Sequence, residues 1–151
     1  MKRTPELQRL EEILRVSRIV SGGFMGNDPR VLEEILDADA AEVSRHGYTT
    51  EQIARRMLEL TKRAQAGLGT PVKLDEKREG FVDENRGQLV CPWPHAGRYL
   101  KTVTNLRRTD TGKIIRWSDL AVHMIGAHGF FQGRGSAFRL EPGDLVQILF
   151  D

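Results

Sequence analysis

The chain has 151 residues, 39% hydrophobic and 29% charged, with a formal net charge of +2. This is enough chain and enough apolar content for one ordinary folded domain, or one domain with a small appendage, and it excludes a disordered polyelectrolyte. No apolar run approaches the roughly 18 residues of a membrane helix, the charged start Met1–Glu6 has no signal-like apolar core, and the single cysteine excludes an internal disulfide. The expectation is a reduced, cytoplasmic protein with no membrane partner.

The first half reads as helices. Leu7, Leu10, Ile13, Leu14 and Val20 recur near helical period, and Ser21-Gly22-Gly23 stops the pattern. Asp28-Pro29 predicts an N-cap followed by proline at the first helical position, with Val31, Leu32, Ile35 and Leu36 on one face. Arg45-His46-Gly47 predicts a basic last turn and a glycine stop. Thr49 with Gln52 matches a capping box, and Ile53, Met57, Leu60 and Ala64 form the apolar stripe of a third helix, ended by Gly67 and Gly69-Thr70-Pro71. The segment Tyr48–Arg56 echoes the second helix of many helix-turn-helix pairs. A small bundle or a homo-oligomer surface is the stronger expectation for these three helices.

Strands follow. Val72–Glu79 reads as a linker or edge segment. Gly80-Phe81-Val82 and Gln88-Leu89-Val90 flank Asp83–Gly87, which predicts a hairpin turn. Tyr99–Leu106 alternates as a half-buried strand, Thr109–Gly112 is a turn, and Lys113–Trp117 returns. Ser118 caps a helix through His128, with Trp117 and Val122 spaced for a hydrophobic staple and Gly129 as the stop. Glu141–Phe150 predicts a last short helix. The fold class is therefore α+β: a helical segment over 1–70, then a β-hairpin and helix module over 71–151.

The chemistry concentrates in that module. Cys91-Pro92-Trp93-Pro94-His95 and His123–His128 give C-x3-H, a gap of 27 residues, then H-x4-H. Thiolate and imidazole are the ligands zinc prefers, and close pairs are how small domains present them. Cys91, His95, His123 and His128 are the candidate metal ligands and zinc the candidate cofactor. The layout looks like the plan of zinc-finger modules over roughly residues 88–129. It departs from that plan in its second knuckle ligand, a histidine, and in its longer gap. The i,i+5 histidines stand about 140° apart around a regular helix, so the last turn is expected to widen, with Gly126 and Gly129 easing it.

With all four ligands the zinc is closed and structural. With His95 turned away the site is open, Cys91, His123 and His128 remain, and a metal-dependent hydrolase follows, with Asp119 or Glu84 as base. A metal-free Cys91–His123 nucleophile pair and a metal-free helical interaction protein are further alternatives. In the last, Cys91 and His123 belong to the core and His128, like His46, is a helix-end residue. No zincin, nucleophile-elbow or Walker sequence occurs, and the chain reads as a non-enzymatic binding or interaction module. From Ala96 to Leu140 eight basic residues face two acidic ones. Lys101, Arg107, Arg108, Arg134 and Arg139 are the candidate contacts to nucleic acid or an acidic protein surface. Gly129–Arg139 joins glycines, aromatics and arginines, and reads either as a stacking and anion-binding loop or as a loop whose phenylalanines plug the core.

Overall fold

The structure is a computed structural model, and it describes residues 2–20 and 22–151. Among these residues five helices and four strands follow in the order α1 (Pro5–Val16), α2 (Leu32–Arg45), α3 (Thr50–Gln65), β1 (Val72–Asp75), β2 (Arg78–Leu89), β3 (Tyr99–Arg108), β4 (Ile114–Ser118), α4 (Asp119–His128) and α5 (Pro142–Phe150). The strands make one antiparallel sheet in the order β1-β2-β3-β4. The class is α+β. Among the described residues, no helix is long and apolar enough to cross a membrane.

Local signals in the sequence account for most helix ends. Thr49 and Gln52 form the reciprocal capping box of α3. Ser118 Oγ accepts the Ala121 N–H at the start of α4, and Gly129 ends that helix at φ +64°. Trp117 and Val122 are buried in the same core cluster, as a staple requires. Helix α1 stops at Val16, short of the expected glycine pair; Ser21 lies outside the described residues.

Two local expectations are corrected. Asp28 does not cap α2. That helix begins at Leu32 without a side-chain cap of its own, and the Leu32 N–H donates instead to Glu11 Oε1 of α1 at 2.7 Å. The Asp28 carboxylate is buried and holds Arg30 at 2.7 Å and the Arg134 N–H at 3.0 Å. Nor is Asp83–Gly87 a turn. Strand β2 runs through it, paired with β3 from Arg78↔Arg108 to Leu89↔Tyr99. The turn-forming residues are absorbed by a register shift between Asn85 and Gln88, where Gly87 sits at φ +99°. A hairpin closed at Asp83–Gly87 would have left Tyr99–Arg108 without this partner. The true β2–β3 connection is Val90–Arg98, so the cysteine–histidine knuckle is itself the hairpin loop.

One sheet face is sealed against α3. Thr104 Oγ1 meets Thr61 Oγ1 at 2.7 Å, and Trp117 Nε1 donates to the same Thr61 hydroxyl at 2.9 Å, all in buried surroundings. Helix α4 is largely apolar and buries Leu120, Ala121, Val122, Met124 and Ile125, while Asp119, His123 and His128 are its polar positions. Its Val122 and Ile125 join a core with α3, α5 and the sheet, while Leu120 and Met124 join a second core with α1, α2, Phe24, Phe130 and Cys91. Both cores thus draw on both halves of the chain. Gly126 allows α3 to approach α4: a Cβ there would stand 2.8 Å from Ala54 Cβ. Its role is close packing.

Candidate metal centre

The centre forms where the β2–β3 loop meets the end of α4. Cys91 is buried in the second core, His95 is exposed on the loop, and His123 and His128 are half-buried on α4. One ligand atom from each of the four lies within 4.8 Å of every other. The sequence pattern named the same four residues; the structure brings them to one point. They can hold a metal ion.

His95 is the hinge of this geometry. Its Nδ1 lies 2.8 Å from the Ala96 carbonyl oxygen, which only accepts, so Nδ1 carries the proton and Nε2 presents its lone pair. That Nε2 lies 3.0 Å from His123 Nε2 and 3.2 Å from His128 Nε2. Both separations are of hydrogen-bond length, and a shared cation could take all three ring nitrogens as ligands. These two separations also fit: zinc–nitrogen bonds of about 2.0–2.1 Å at tetrahedral angles put nitrogens roughly 3.3 Å apart.

The i,i+5 pair comes together on a helix that is not widened between the two histidines; the hydrogen bonds widen only past His128. The α pattern holds through His128. The Gly129 N–H is then shared between the Ile125 and Met124 carbonyls, and the Phe130 N–H reaches Met124 O at 3.1 Å.

Two aromatic side chains, for which the sequence alone assigns no part in the site, hold the rings in place. Trp93 stacks on His128 with centroids 4.3 Å apart and planes 4° from parallel. Tyr99 stacks on His123 at 4.2 Å, and its hydroxyl lies 3.1 Å from His123 Nε2. The available signal for Trp93 was its place between two prolines inside the knuckle. Tyr99 gave no local signal, because its position depends on the β2–β3 register.

Electrostatics favour the ligand forms of the histidines. Burial, with His123 and His95 adding to it, pulls His128 down to about 4. Burial followed by His95 lowers His123. Both imidazoles are therefore neutral at pH 7, as metal ligation requires. Burial pushes the Cys91 thiol up, opposed by a hydrogen bond from the Trp93 backbone N–H. A bound cation reverses that balance by drawing off the thiol proton.

The other candidates lie elsewhere. Asp119 opens α4 at the end opposite His128, and burial raises its carboxyl; Glu84 is exposed on β2. Neither belongs to the cluster. His46 closes α2 against Glu42. Of the candidate anion contacts, Arg139 is 6% exposed at its side chain and bound to Asp39, Glu141 and the Gln132 carbonyl. Arg108 is buried against Asp110, held at about 2 by that guanidinium, and donates to the carbonyls of Gln147 and Ile148. Arg107 is exposed and paired with Glu79, Arg134 is exposed near Glu141, and Lys101 is exposed on β3. Phe130 and Phe131 plug the core, and the Arg134 N–H of the glycine-rich loop is taken by Asp28.

Comparison of the chain with protein-family models, with curated proteins and with solved structures finds no match in any of the three. Fold and site together define an α+β protein carrying one Cys/His cluster, among its described residues, that can hold a metal ion.

Proposed function

We propose that this is a non-enzymatic zinc-binding protein in which Cys91, His95, His123 and His128 form a closed structural site. The observation that carries this reading is His95 Nε2, turned toward both helix imidazoles at 3.0 and 3.2 Å. An open hydrolytic site requires that residue to face away. The mixed thiolate and imidazole set suits zinc among the common cations. Zinc supplies four strong bonds there, tying the β2–β3 loop to the end of α4. A single buried free cysteine fits a reducing, cytoplasmic setting.

The work of such a module is binding. Exposed Lys101, Arg107 and Arg134 are the cations available to an acidic protein surface or to nucleic acid. On α1, Ile13 and Val16 are exposed apolar groups that a second copy would cover.

Metal analysis of protein purified without chelator tests the central claim, with about one zinc per chain expected and less than about 0.2 rejecting it. Cobalt substitution adds a geometric readout: a tetrahedral absorption with a thiolate charge-transfer band is expected, and octahedral cobalt would reject the closed site. For the partner, affinity for an acidic ligand should fall with salt and with neutralisation of Lys101 and Arg134.

A further inference from the structure

A cleft of about 560 Å³ lies between the outer face of the sheet, the chain just after α1, and the loop that follows α4. None of the four metal-cluster residues lines it. Strand pairing explains the sheet side. Asn85 stands opposite Lys101, and Val103 opposite Ser118, so these side chains share the face turned away from α3. Phe24, Leu89, Leu120 and Phe138 supply an apolar lining.

The polar groups on the wall are mostly donors without partners. Gln132 is 2% exposed and held at φ +70°, a conformation that non-glycine residues seldom adopt. Its Oε1 accepts the Ser136 hydroxyl at 2.5 Å and its backbone carbonyl accepts from Arg139 at 2.7 Å. Gln132 lines the cleft, and among the described residues its Nε2 has no hydrogen-bond partner; the only sealed, unpartnered side-chain atom among them is Arg78 Nη2. A buried amide donor calls for an acceptor. At the rim, among the described residues, Arg18 and Lys101 have no ion-pair partner and no carboxylate lines the cleft. Asn85 and Ser118 are already engaged, with the Lys101 carbonyl and the Ala121 N–H.

An apolar cavity of this size with two free cations and one buried amide donor matches a ligand with an apolar body and an acceptor-only, negatively charged end. We propose that the cleft binds a small amphipathic carboxylate, an aliphatic or aromatic organic acid. The carboxylate is held by Arg18, Lys101 and the Gln132 amide, and the body lies against Phe24, Leu120 and Phe138.

Calorimetric titration of the full chain with decanoate, and separately with decanol, tests this. Saturable decanoate binding is expected, at least about tenfold tighter than decanol. Arg18→Glu and Lys101→Glu change exposed side chains. Each should weaken decanoate about tenfold or more and leave decanol unchanged. Val103→Trp, which fills the sheet side of the cleft, should abolish both. No saturable decanoate binding into the millimolar range overturns the proposal. So do equal affinities for acid and alcohol, indifference to both charge reversals, or undiminished binding in a folded Val103→Trp variant. The metal content of each variant should equal that of the parent, so a failure here is distinct from a failure of the zinc reading.

Discussion

Replacing His95 by alanine discriminates most sharply between a metal centre and a chance meeting of side chains. His95 is exposed, and its ring contacts are the Ala96 carbonyl, His123 and His128. Without metal, removing such a side chain shifts stability by no more than about 0.5 kcal/mol. With zinc bound the loss is of another size. Structural zinc contributes about 10–16 kcal/mol in small sites, so one ligand in four accounts for about 2.5–4 kcal/mol. That equals a fall of roughly 100- to 1000-fold in zinc affinity. At about 2–4 °C per kcal/mol for a chain of this size, the zinc-saturated protein should lose about 5–16 °C in Tm. The assay is thermal unfolding of parent and variant, each at fixed free zinc and again after chelation, with chelator competition for the affinity. The expected pattern is a large shift with zinc and almost none without it. Equal shifts in both conditions, or an unchanged zinc affinity, would refute the assignment of His95 as a ligand.

Other substitutions probe the frame that positions this centre. Gly126→Ala places a Cβ 2.8 Å from Ala54 Cβ, so overpacking should outweigh the gain in helix propensity and cost about 1–3 kcal/mol in urea unfolding. An added Ala54→Gly should recover part of that loss, and no loss at all would show that α3 and α4 tolerate a wider spacing. Asp28 is buried, and Arg30 followed by the Arg134 N–H holds its carboxyl well below the usual carboxylate range. Its stabilising effect is fully present above the unfolded value of about 3.9 and is lost as pH falls through the lower folded value. Asp28→Asn should therefore reduce stability at pH 7 and flatten the decline below about pH 4, while parallel acid limbs would reject the ion pair as a contributor. Asp39→Ala leaves the buried Arg139 guanidinium with Glu141 and a carbonyl only. A loss near the lower end of the 3–5 kcal/mol range is expected, and a change below about 1 kcal/mol would mean that Glu141 suffices.

The helices were largely legible in the sequence because their determinants are local. The capping box at Thr49–Gln52, the Ser118 cap and the Gly129 stop each act within a few residues, and each appears where the spacing predicts. The cluster was legible for a different reason. Cysteine and histidine are rare in this chain, and their two close pairs can be seen without knowing the fold. Where the reading went astray, a local signal met a non-local partner. Asp83–Gly87 has the composition of a turn, but ten paired positions with β3 carry the strand through it. Asp28 has the chemistry of a helix cap, but Arg30 and the Arg134 N–H claim its carboxylate, and Glu11 from α1 takes the N–H of Leu32.

The basic stretch divides in the same way. Its charge could be counted along the chain, yet Arg108 and Arg139 are consumed by Asp110, Asp39, Glu141 and helix or loop carbonyls, while Lys101 and Arg134 remain at the surface.

By itself, then, the sequence determined the α+β class, most helix ends and the identity of the four side chains able to meet at a metal. Tertiary structure alone decided that His95 turns inward, that Trp93 and Tyr99 brace the helix imidazoles, that two of five candidate cations are buried, and that a donor-lined cleft opens on the far sheet face. The reason is one of range. Caps and periodicity act over a turn or two of chain, whereas the direction of a side chain, the partner of a buried charge and the walls of a cavity come from segments tens of residues away.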